Sequence, residues 1–249
     1  MTLSQRQNEI LRFLKEKKYL SVEDLSSTLC VSKVTIRSDL SALEEKGAVT
    51  RTHGGAMIAE VAPRIVTNSL AEHETEKKSI GKTAAAIIPD DAVIILDSGS
   101  TTFRIAESIL GRSLTVVTNS LLICDVLRSE KDIELIMLGG SFRRNIMGCT
   151  GPLTKLDLSQ IHADIYFLGG GGYSDTHIYC SNLQEAEVKQ AMMKAADTVC
   201  FVADSSKKGQ ALFGITTTWD DIDCFITDQI DAPFRTHVES KGVHILSAE

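Results

Sequence analysis

Residues 92–102 read Ala92-Val93-Ile94-Ile95-Leu96-Asp97-Ser98-Gly99-Ser100-Thr101-Thr102. A short apolar, β-prone run ends at an acid, a loop of small hydroxyl residues follows, and a helical pattern begins at about 101 and continues to 110. The alternation continues downstream. A strand over 114–117 precedes a helix over 120–129, strands follow over 133–138 and 165–168, then a helix over 182–195 and strands over 198–202, 224–226 and 243–246. Upstream, a helix over 76–88 carries Ile80, Ala84, Ile87 and Ile88 on one side and stops at Pro89. This pattern predicts an open α/β domain with a largely parallel sheet over 76–249.

Small polar residues recur at the carboxyl ends of these strands, where open α/β sheets bind ligands. The first cluster is Asp97, Ser98, Gly99, Ser100, Thr101 and Thr102, whose backbone N–H groups and hydroxyls surround a helix N-terminus and suit a phosphate. The others are Thr118-Asn119-Ser120, Gly139-Gly140, Gly169-Gly170-Gly171-Gly172, and Ala203-Asp204-Ser205-Ser206-Lys207, the last bringing a cation to the same rim. Any one of them alone reads equally as turn chemistry, and their shared location carries the inference. The first cluster lacks the Gly-Lys-Ser/Thr of a Walker loop and the three-glycine dinucleotide fingerprint, which argues against nucleotide hydrolysis and hydride transfer.

The first 56 residues have a different texture. Ile10, Leu11 and Leu14 share a helical stripe over 4–17, with Phe13 at its margin. Ser21 followed by Asp24 starts a second helix in the manner of a capping box, with Val22, Leu25 and Leu29 as its apolar positions. Cys30 and Val31 make a tight link to Ser32, an N-cap for a third helix in which Ile36, Leu40 and Leu43 face inward until Gly47. Two short helices so closely linked read as helix-turn-helix. Ser32, Lys33, Thr35, Arg37 and Ser38 are left near the open N-terminal end of the third helix, where a recognition helix meets base edges, and Arg37 has the donors for guanine O6 and N7. Residues 48–55, with Arg51 and His53 ahead of Gly54-Gly55, read as a wing that touches phosphates. A solvated helical bundle with basic residues for solubility is the alternative.

Length and composition fit this division. The 249 residues are 43% hydrophobic and 24% charged, a globular balance. Residues 1–56 carry 9 Lys+Arg against 7 Asp+Glu, net +2, and the remainder 17 against 26, net −9. No apolar stretch approaches the roughly 18 residues of a membrane helix, and no signal-peptide core is present, so a cytoplasmic protein without membrane contact is expected. The six cysteines are at least 20 residues apart in sequence, with no C-x-x-C pair, and the six histidines form no i, i+3 or i, i+4 pair. Reduced, mostly buried thiols, no metal site and no cofactor are expected. Residues 57–75, with Pro63 and a charged patch at 72–78, read as a linker, and Trp219 is expected to pack at an element boundary.

Thr35-Ile36-Arg37-Ser38-Asp39-Leu40, then Leu43-Glu44 and Arg51-Thr52-His53-Gly54-Gly55-Ala56, resemble the winged head of DeoR-family bacterial transcriptional regulators. The resemblance extends over the body. The loop at 97–102, the Thr118-Asn119-Ser120 turn, Leu138-Gly139-Gly140 and Ala203-Asp204-Ser205-Ser206-Lys207 are similar to the family's effector-domain motifs, as is Glu185-Ala186-x-Val188-Lys189-x-Ala191-Met192. Ser38 stands where a second Arg is usual, the four glycines at 169–172 replace a less glycine-rich run, and Lys208, read as solvated, replaces an aromatic residue. The resemblance implies a winged helix-turn-helix at 1–56, a linker at 57–75 and an effector-binding, oligomerising α/β domain at 76–249 similar in fold to ribose-5-phosphate isomerase. It also implies a phosphorylated sugar or related metabolite as effector, and the expected contacts are Asp97, Ser98, Gly99, Ser100, Thr101, Thr102, Thr118, Asn119, Ser120, Gly139, Gly140, Gly170, Glu185, Asp204 and Lys207.

The expected function is therefore a DNA-binding regulator, a repressor of carbohydrate catabolism whose operator affinity depends on that effector, with no catalytic residues. A single head of net +2 makes few phosphate contacts, so a homodimer or homotetramer on paired half-sites is expected. A sugar-phosphate isomerase or deaminase with an appended head is the alternative, with Asp97, Glu185 or Asp204 as base.

Overall fold

The computed structural model describes residues 3–17, 19–45, 49–52, 54–58 and 66–248, and the chain divides into two compact units, Met1–Pro63 and Arg64–Glu249. In chain order the first contains α1 (Leu3–Lys17), β1 (Tyr19–Ser21), α2 (Val22–Leu29), α3 (Lys33–Glu45), β2 (Val49–Thr52) and β3 (Gly55–Ile58). The apolar stripes meet in one core: Ile10 and Leu14 of α1, Leu25 of α2, and Ile36, Leu40 and Leu43 of α3 are buried with Val49 and Ala56. The helix starts follow local chemistry. Ser21 Oγ accepts from the Asp24 N–H at 3.0 Å while the Ser21 N–H donates to Asp24 Oδ2 at 3.3 Å, a complete capping box. Cys30, at φ 53°, ends α2, and Ser32 Oγ accepts from the Thr35 N–H at 3.1 Å to begin α3.

The three-residue strand β1 is too short for sequence periodicity to show. It pairs antiparallel with β3, Leu20 opposite Ala56, giving the order β1-β3-β2. That crossing requires glycine at 55, where a Cβ would sit 2.4 Å from the Leu20 carbonyl oxygen. Gly47 and Pro63, on which the helix stop and the linker were read, lie outside the described residues.

The second unit contains α4 (Val66–Ser69), α5 (Glu74–Ala86), β4 (Val93–Leu96), α6 (Ser100–Ser108), β5 (Leu114–Thr118), α7 (Leu121–Leu127), β6 (Ile133–Met137), β7 (Ser141–Arg143), β8 (Gly148–Thr150), α8 (Pro152–Leu158), β9 (Ala163–Gly169), β10 (Gly172–Tyr173), β11 (His177–Cys180), α9 (Leu183–Lys194), β12 (Ala196–Val202), β13 (Gly214–Thr218), β14 (Cys224–Thr227), α10 (Ala232–Glu239) and β15 (His244–Ser247). Seven strands form one sheet in the order β15-β14-β12-β9-β4-β5-β6, and every neighbouring pair is parallel. Alternate residues serve opposite faces. Ile94, Leu96 and Val116 pack with α5, α6 and α7 through Ile80, Ala84, Ile105 and Ile123. Ile95, Val117, Tyr166 and Phe201 pack with α9 and α10 through Val188, Met192 and Phe234. Burial on both faces is why these strands read as unbroken apolar runs.

The linker expectation needs correction at both ends. β3 continues to Ile58, and residues 66–69 form α4 within the second unit. A backbone bond from the Val66 N–H to the Asn145 carbonyl at 2.7 Å anchors this one-turn helix, a tertiary contact that leaves no periodic trace. The other elements missing from the sequence reading are β7, β8, α8, the small antiparallel sheet β10-β11-β13 and α10. Cysteines 124, 149, 180, 200 and 224 are buried free thiols and Cys30 is exposed. Trp219 lies in a 3₁₀ turn after β13, edge-on to Tyr173, Phe225 and Phe234, and its Nε1 donates to the Ser174 carbonyl at 2.9 Å. No helix among the described residues is long and apolar enough to cross a membrane.

Candidate functional site

From β4 the chain builds outward through β5 and β6, then returns to β9 on the other side of β4 and builds outward through β12, β14 and β15. The crevice outside the carboxyl ends of β4 and β9 is therefore the switch point of the sheet, where ligands of such folds bind. A cavity of about 90 Å³ lies there. Ser98, Gly99 and Ser100 line it at the start of α6, together with Gly169, Gly170 and Gly171 at the end of β9, Ser181, Glu185 and Lys189 at α9, Lys207, and Val66 and Ser69 of α4. Gly99 is the N-cap of α6, so the unsatisfied N–H groups of that helix start beside the cavity.

Asp97 fixes the geometry from beneath. It is 1% exposed, and its Oδ2 accepts from the Gly169 N–H at 2.8 Å, from Tyr166 OH at 3.1 Å and from Lys189 Nζ. Thr102 Oγ1 donates to the Asp97 carbonyl at 2.7 Å and accepts from the Gly99 N–H at 3.0 Å, drawing the 97–102 loop into a closed turn. A Cβ at position 169 would stand 2.9 Å from Asp97 Oδ1, and one at 172 would stand 2.0 Å from the Gln210 carbonyl. At 170 and 171 a Cβ would stand 2.7 Å from the buried Phe201 ring and 2.5 Å from Leu212, so close approach bears on all four consecutive glycines.

Lys189 also donates to the Gly169 carbonyl at 3.0 Å and lies 3.9 Å from Glu185. Burial by itself would lower its pKa, but Asp97 and then Glu185 outweigh burial and hold it above the ordinary lysine value. Burial, reinforced by the Asp97 charge, pushes the Tyr166 phenol well up. Glu185 is held by Ser181 Oγ at 2.7 Å and Asn182 Nδ2 at 3.3 Å. The cavity floor is thus an ordered set of paired charges, with Lys207 contributing a further cation at the rim.

The remaining sequence candidates are placed differently. Thr118, Asn119 and Ser120 are buried beyond β5 and do not line the cavity. Thr118 Oγ1 donates to the Leu96 carbonyl at 2.6 Å, Asn119 Nδ2 to the Cys149 carbonyl at 2.8 Å, and Ser120 Oγ caps α7. Gly139 and Gly140 follow β6, two strands from the switch point, where the Gly139 N–H is taken by Asp157 at 3.0 Å. Thr101 and Thr102 are buried behind the loop, and Asp204, 1% exposed, holds Ser206 while its Oδ2 has no partner among the described residues. Lys208 is exposed and does not line the cavity, as the solvated reading expected, while it pairs with Asp231 and lies 4.2 Å over the Phe234 ring. The sequence reading missed Lys189, although its i, i+4 spacing from Glu185 was a usable signal, and it missed Ser69, Ser181 and the buried Lys77.

In the first unit, Ser32, Lys33, Val34, Arg37 and Ser38 are exposed on α3 and Thr35 is partly so. Lys33 Nζ pairs with Glu23 at 2.7 Å, and Thr35 shares a hydrogen bond with Ser32 at 2.8 Å. The Arg37 guanidinium has no hydrogen bond or ion pair among the described residues. Arg51 on β2 donates to Ser41 Oγ at 2.7 Å, and His53 lies outside the described residues. Asp39 faces the other way, buried against Arg6 of α1, whose Nε donates at 2.5 Å. That ion pair fastens α3 to α1.

Residues 6–61 match the model of the DeoR-like helix-turn-helix domain, and residues 72–229 match that of the DeoR C-terminal sensor domain. The chain is 34% identical to the HTH-type transcriptional repressor GlcR of Bacillus subtilis over 96% of this chain and 94% of the relative. It is 32% identical to the HTH-type transcriptional regulator GolR of Listeria innocua over 98% of each. Among solved structures, ribose 5-phosphate isomerase A from Neisseria gonorrhoeae is similar at TM-score 0.39, with 18% identity over 55% of this chain and 54% of that one. The relatives are named as regulators, and the reading as an enzyme with an appended head is set aside. With both domain models matched in order, the chain belongs to the DeoR family of helix-turn-helix transcriptional regulators.

Proposed function

We propose that the chain represses a carbohydrate-catabolism operon by binding operator DNA through the α3 face and the wing, and that a phosphorylated sugar in the switch-point cavity controls that binding. The observation that carries this reading is the cavity itself: the N-terminus of α6, the small hydroxyl residues Ser98 and Ser100, and Lys207 converge on one pocket. Amide groups at a helix start and a lysine suit a phosphoryl group, and Glu185 supplies acceptors for sugar hydroxyls. Ser98, Gly99, Ser100, Gly170, Glu185 and Lys207 are the contacts proposed.

Ser32, Lys33, Thr35, Arg37 and Ser38 take the base-edge and phosphate contacts in the major groove, with Arg51 and His53 on the wing. The repressor in the name of the Bacillus subtilis relative supports the direction of control. Two or more heads are needed for useful affinity, so the working form is a homodimer or homotetramer in the cytoplasm. The effector acts by binding the DNA-competent and incompetent arrangements unequally.

Fluorescence anisotropy on DNA upstream of the protein's own coding sequence, with a panel of phosphorylated sugars, tests this. At least one sugar phosphate should change operator affinity by about 5- to 150-fold, the usual range of coupling between sites. Absence of DNA binding, or turnover of a sugar phosphate by the purified protein, overturns the proposal.

A further inference from the structure

Lys77, in the second turn of α5, is fully buried. Its Nζ donates to the carbonyl oxygens of Ser69 and Glu72, each at 2.5 Å, and among the described residues no carboxylate lies within ion-pair distance. Lys189 is as deeply buried, yet it has Asp97 and Glu185. A buried ammonium without a carboxylate partner is a costly feature, retained only where something offsets it.

The charged groups facing Lys77 are Glu72 beyond α4, Arg104 on α6, and Asp204 and Lys207 after β12. On its own helix, Glu74 is already engaged by Lys78 at 2.8 Å and Arg104 at 3.2 Å. Burial first, and repulsion from Lys207 second, bring Lys77 down to about 8. Lys207 lines the cavity, so the field that repels Lys77 is the field an incoming anion neutralises.

Position gives this a second meaning. Ser69, whose carbonyl Lys77 holds, lines the cavity together with Val66, and both belong to α4. In the chain, α4 begins at Val66, two residues into the second unit. Lys77 grips the end of α4 from behind while a ligand meets the same helix from the cavity. We propose that Lys77 is a positioning residue that fastens the α4 wall of the cavity, and that an anion bound beside Lys207 tightens this fastening. The inference rests on the anion reading of the cavity given above and names the element through which occupancy is felt.

The sign of the pH dependence follows. Below about 8 the ammonium is already present in the ligand-free protein, and the anion gains its full attraction. Above that value binding must bring in a proton, so affinity falls as pH rises.

The test is calorimetric titration of the full chain with inorganic phosphate between pH 7 and 9.5, comparing wild type with Lys77→Met, Lys77→Arg and the exposed control Lys82→Met. Amide hydrogen exchange of residues 66–72, with and without phosphate, is the second readout. Lys77→Met should bind phosphate about tenfold more weakly than wild type at pH 7, with the ratio narrowing toward high pH as wild type loses its proton. Lys77→Arg, charged throughout, should keep the neutral-pH affinity and lose the additional decline. Phosphate should slow exchange at 66–72 in wild type, Lys77→Arg and Lys82→Met, and leave it unchanged in Lys77→Met.

A Lys77→Met protein with the wild-type pH profile and wild-type protection overturns the inference and leaves the cavity reading standing. Wild type that binds neither phosphate nor any sugar phosphate removes both. Should Lys77→Met fail to fold by circular dichroism, an identical decline of affinity with pH in wild type and Lys77→Arg overturns it.

Discussion

In the first unit the side chains proposed to meet DNA stand in water, whereas in the second the polar side chains around the cavity are buried and hold one another. Arg37 and Ser38 are exposed on α3, while Asp97 and Thr102 are closed off beneath the cavity and Lys189 is buried in its wall. The difference fits the partners proposed for the two sites. A duplex is too large to enclose, so its reader must project from a rigid scaffold, and here the buried Asp39–Arg6 pair helps to supply that rigidity. A small anion can be enclosed, and fixed dipoles around it need no reorganisation when it arrives. Polar residues at an enclosed site therefore carry structural duties as well as functional ones.

The largest effect expected from this contrast is at Asp97. Its replacement by Ala leaves the Lys189 ammonium buried and removes the acceptor of the Gly169 N–H and Tyr166 OH. Breaking such a buried pair from one side costs about 3–5 kcal/mol. Urea unfolding should show that loss in the second unit, with the first unit keeping its own transition. A loss below about 1 kcal/mol would mean that the buried pair is not holding the cavity floor, and the contrast between the units would fail.

Arg37 gives the next effect in size and the opposite kind. Its exposed guanidinium has no hydrogen bond or ion pair among the described residues, so Arg37→Ala should change stability by no more than about 0.5 kcal/mol. Operator binding should weaken by about 1–3 kcal/mol, the worth of a bidentate base contact, while phosphate affinity measured by calorimetry stays at the wild-type value. Equal losses of DNA and phosphate binding would show that exposed and enclosed sites are not separable in this way.

The same contrast explains what could be read from the sequence. In α3 the positions Ile36, Leu40 and Leu43 must face inward, and that alone left Arg37 and Ser38 outside. In the second unit, periodicity identified the strands because β4, β9 and β12 are apolar on both faces, and the loop at 97–102 was visible as a break between strand and helix. Periodicity does not tell a buried lysine from one in solvent, so Lys189, which lines the cavity, and Lys77, which is buried behind α4, went unread. Nor does it tell a hydroxyl that lines a cavity from one that donates to a neighbouring carbonyl, as Thr118 does to Leu96. The order of strands decides that matter: Thr118 ends β5 and Gly139 follows β6, away from the switch between β4 and β9. Short elements such as β1 and α4 are fixed by partners far along the chain and leave no local pattern.

The smallest effect separates scaffold from surface inside the first unit. Ser21 ends β1 opposite Gly55 and begins α2, where its hydroxyl meets the Asp24 N–H and its own N–H and hydroxyl donate to the Asp24 carboxylate. Ser21→Ala keeps the strand register but removes the cap, at a cost of about 1 kcal/mol. The bonds from Ser21, side chain first and backbone second, hold the Asp24 carboxyl below its usual value, so this part of the cap is present at neutral pH and is lost as pH falls through that lowered value. The gap in thermal stability between wild type and Ser21→Ala should accordingly be widest near neutrality and narrow on acidification. A gap that stays constant with pH would show that the Asp24 carboxylate takes no share in starting α2, leaving only the bond from the Asp24 N–H to Ser21 Oγ.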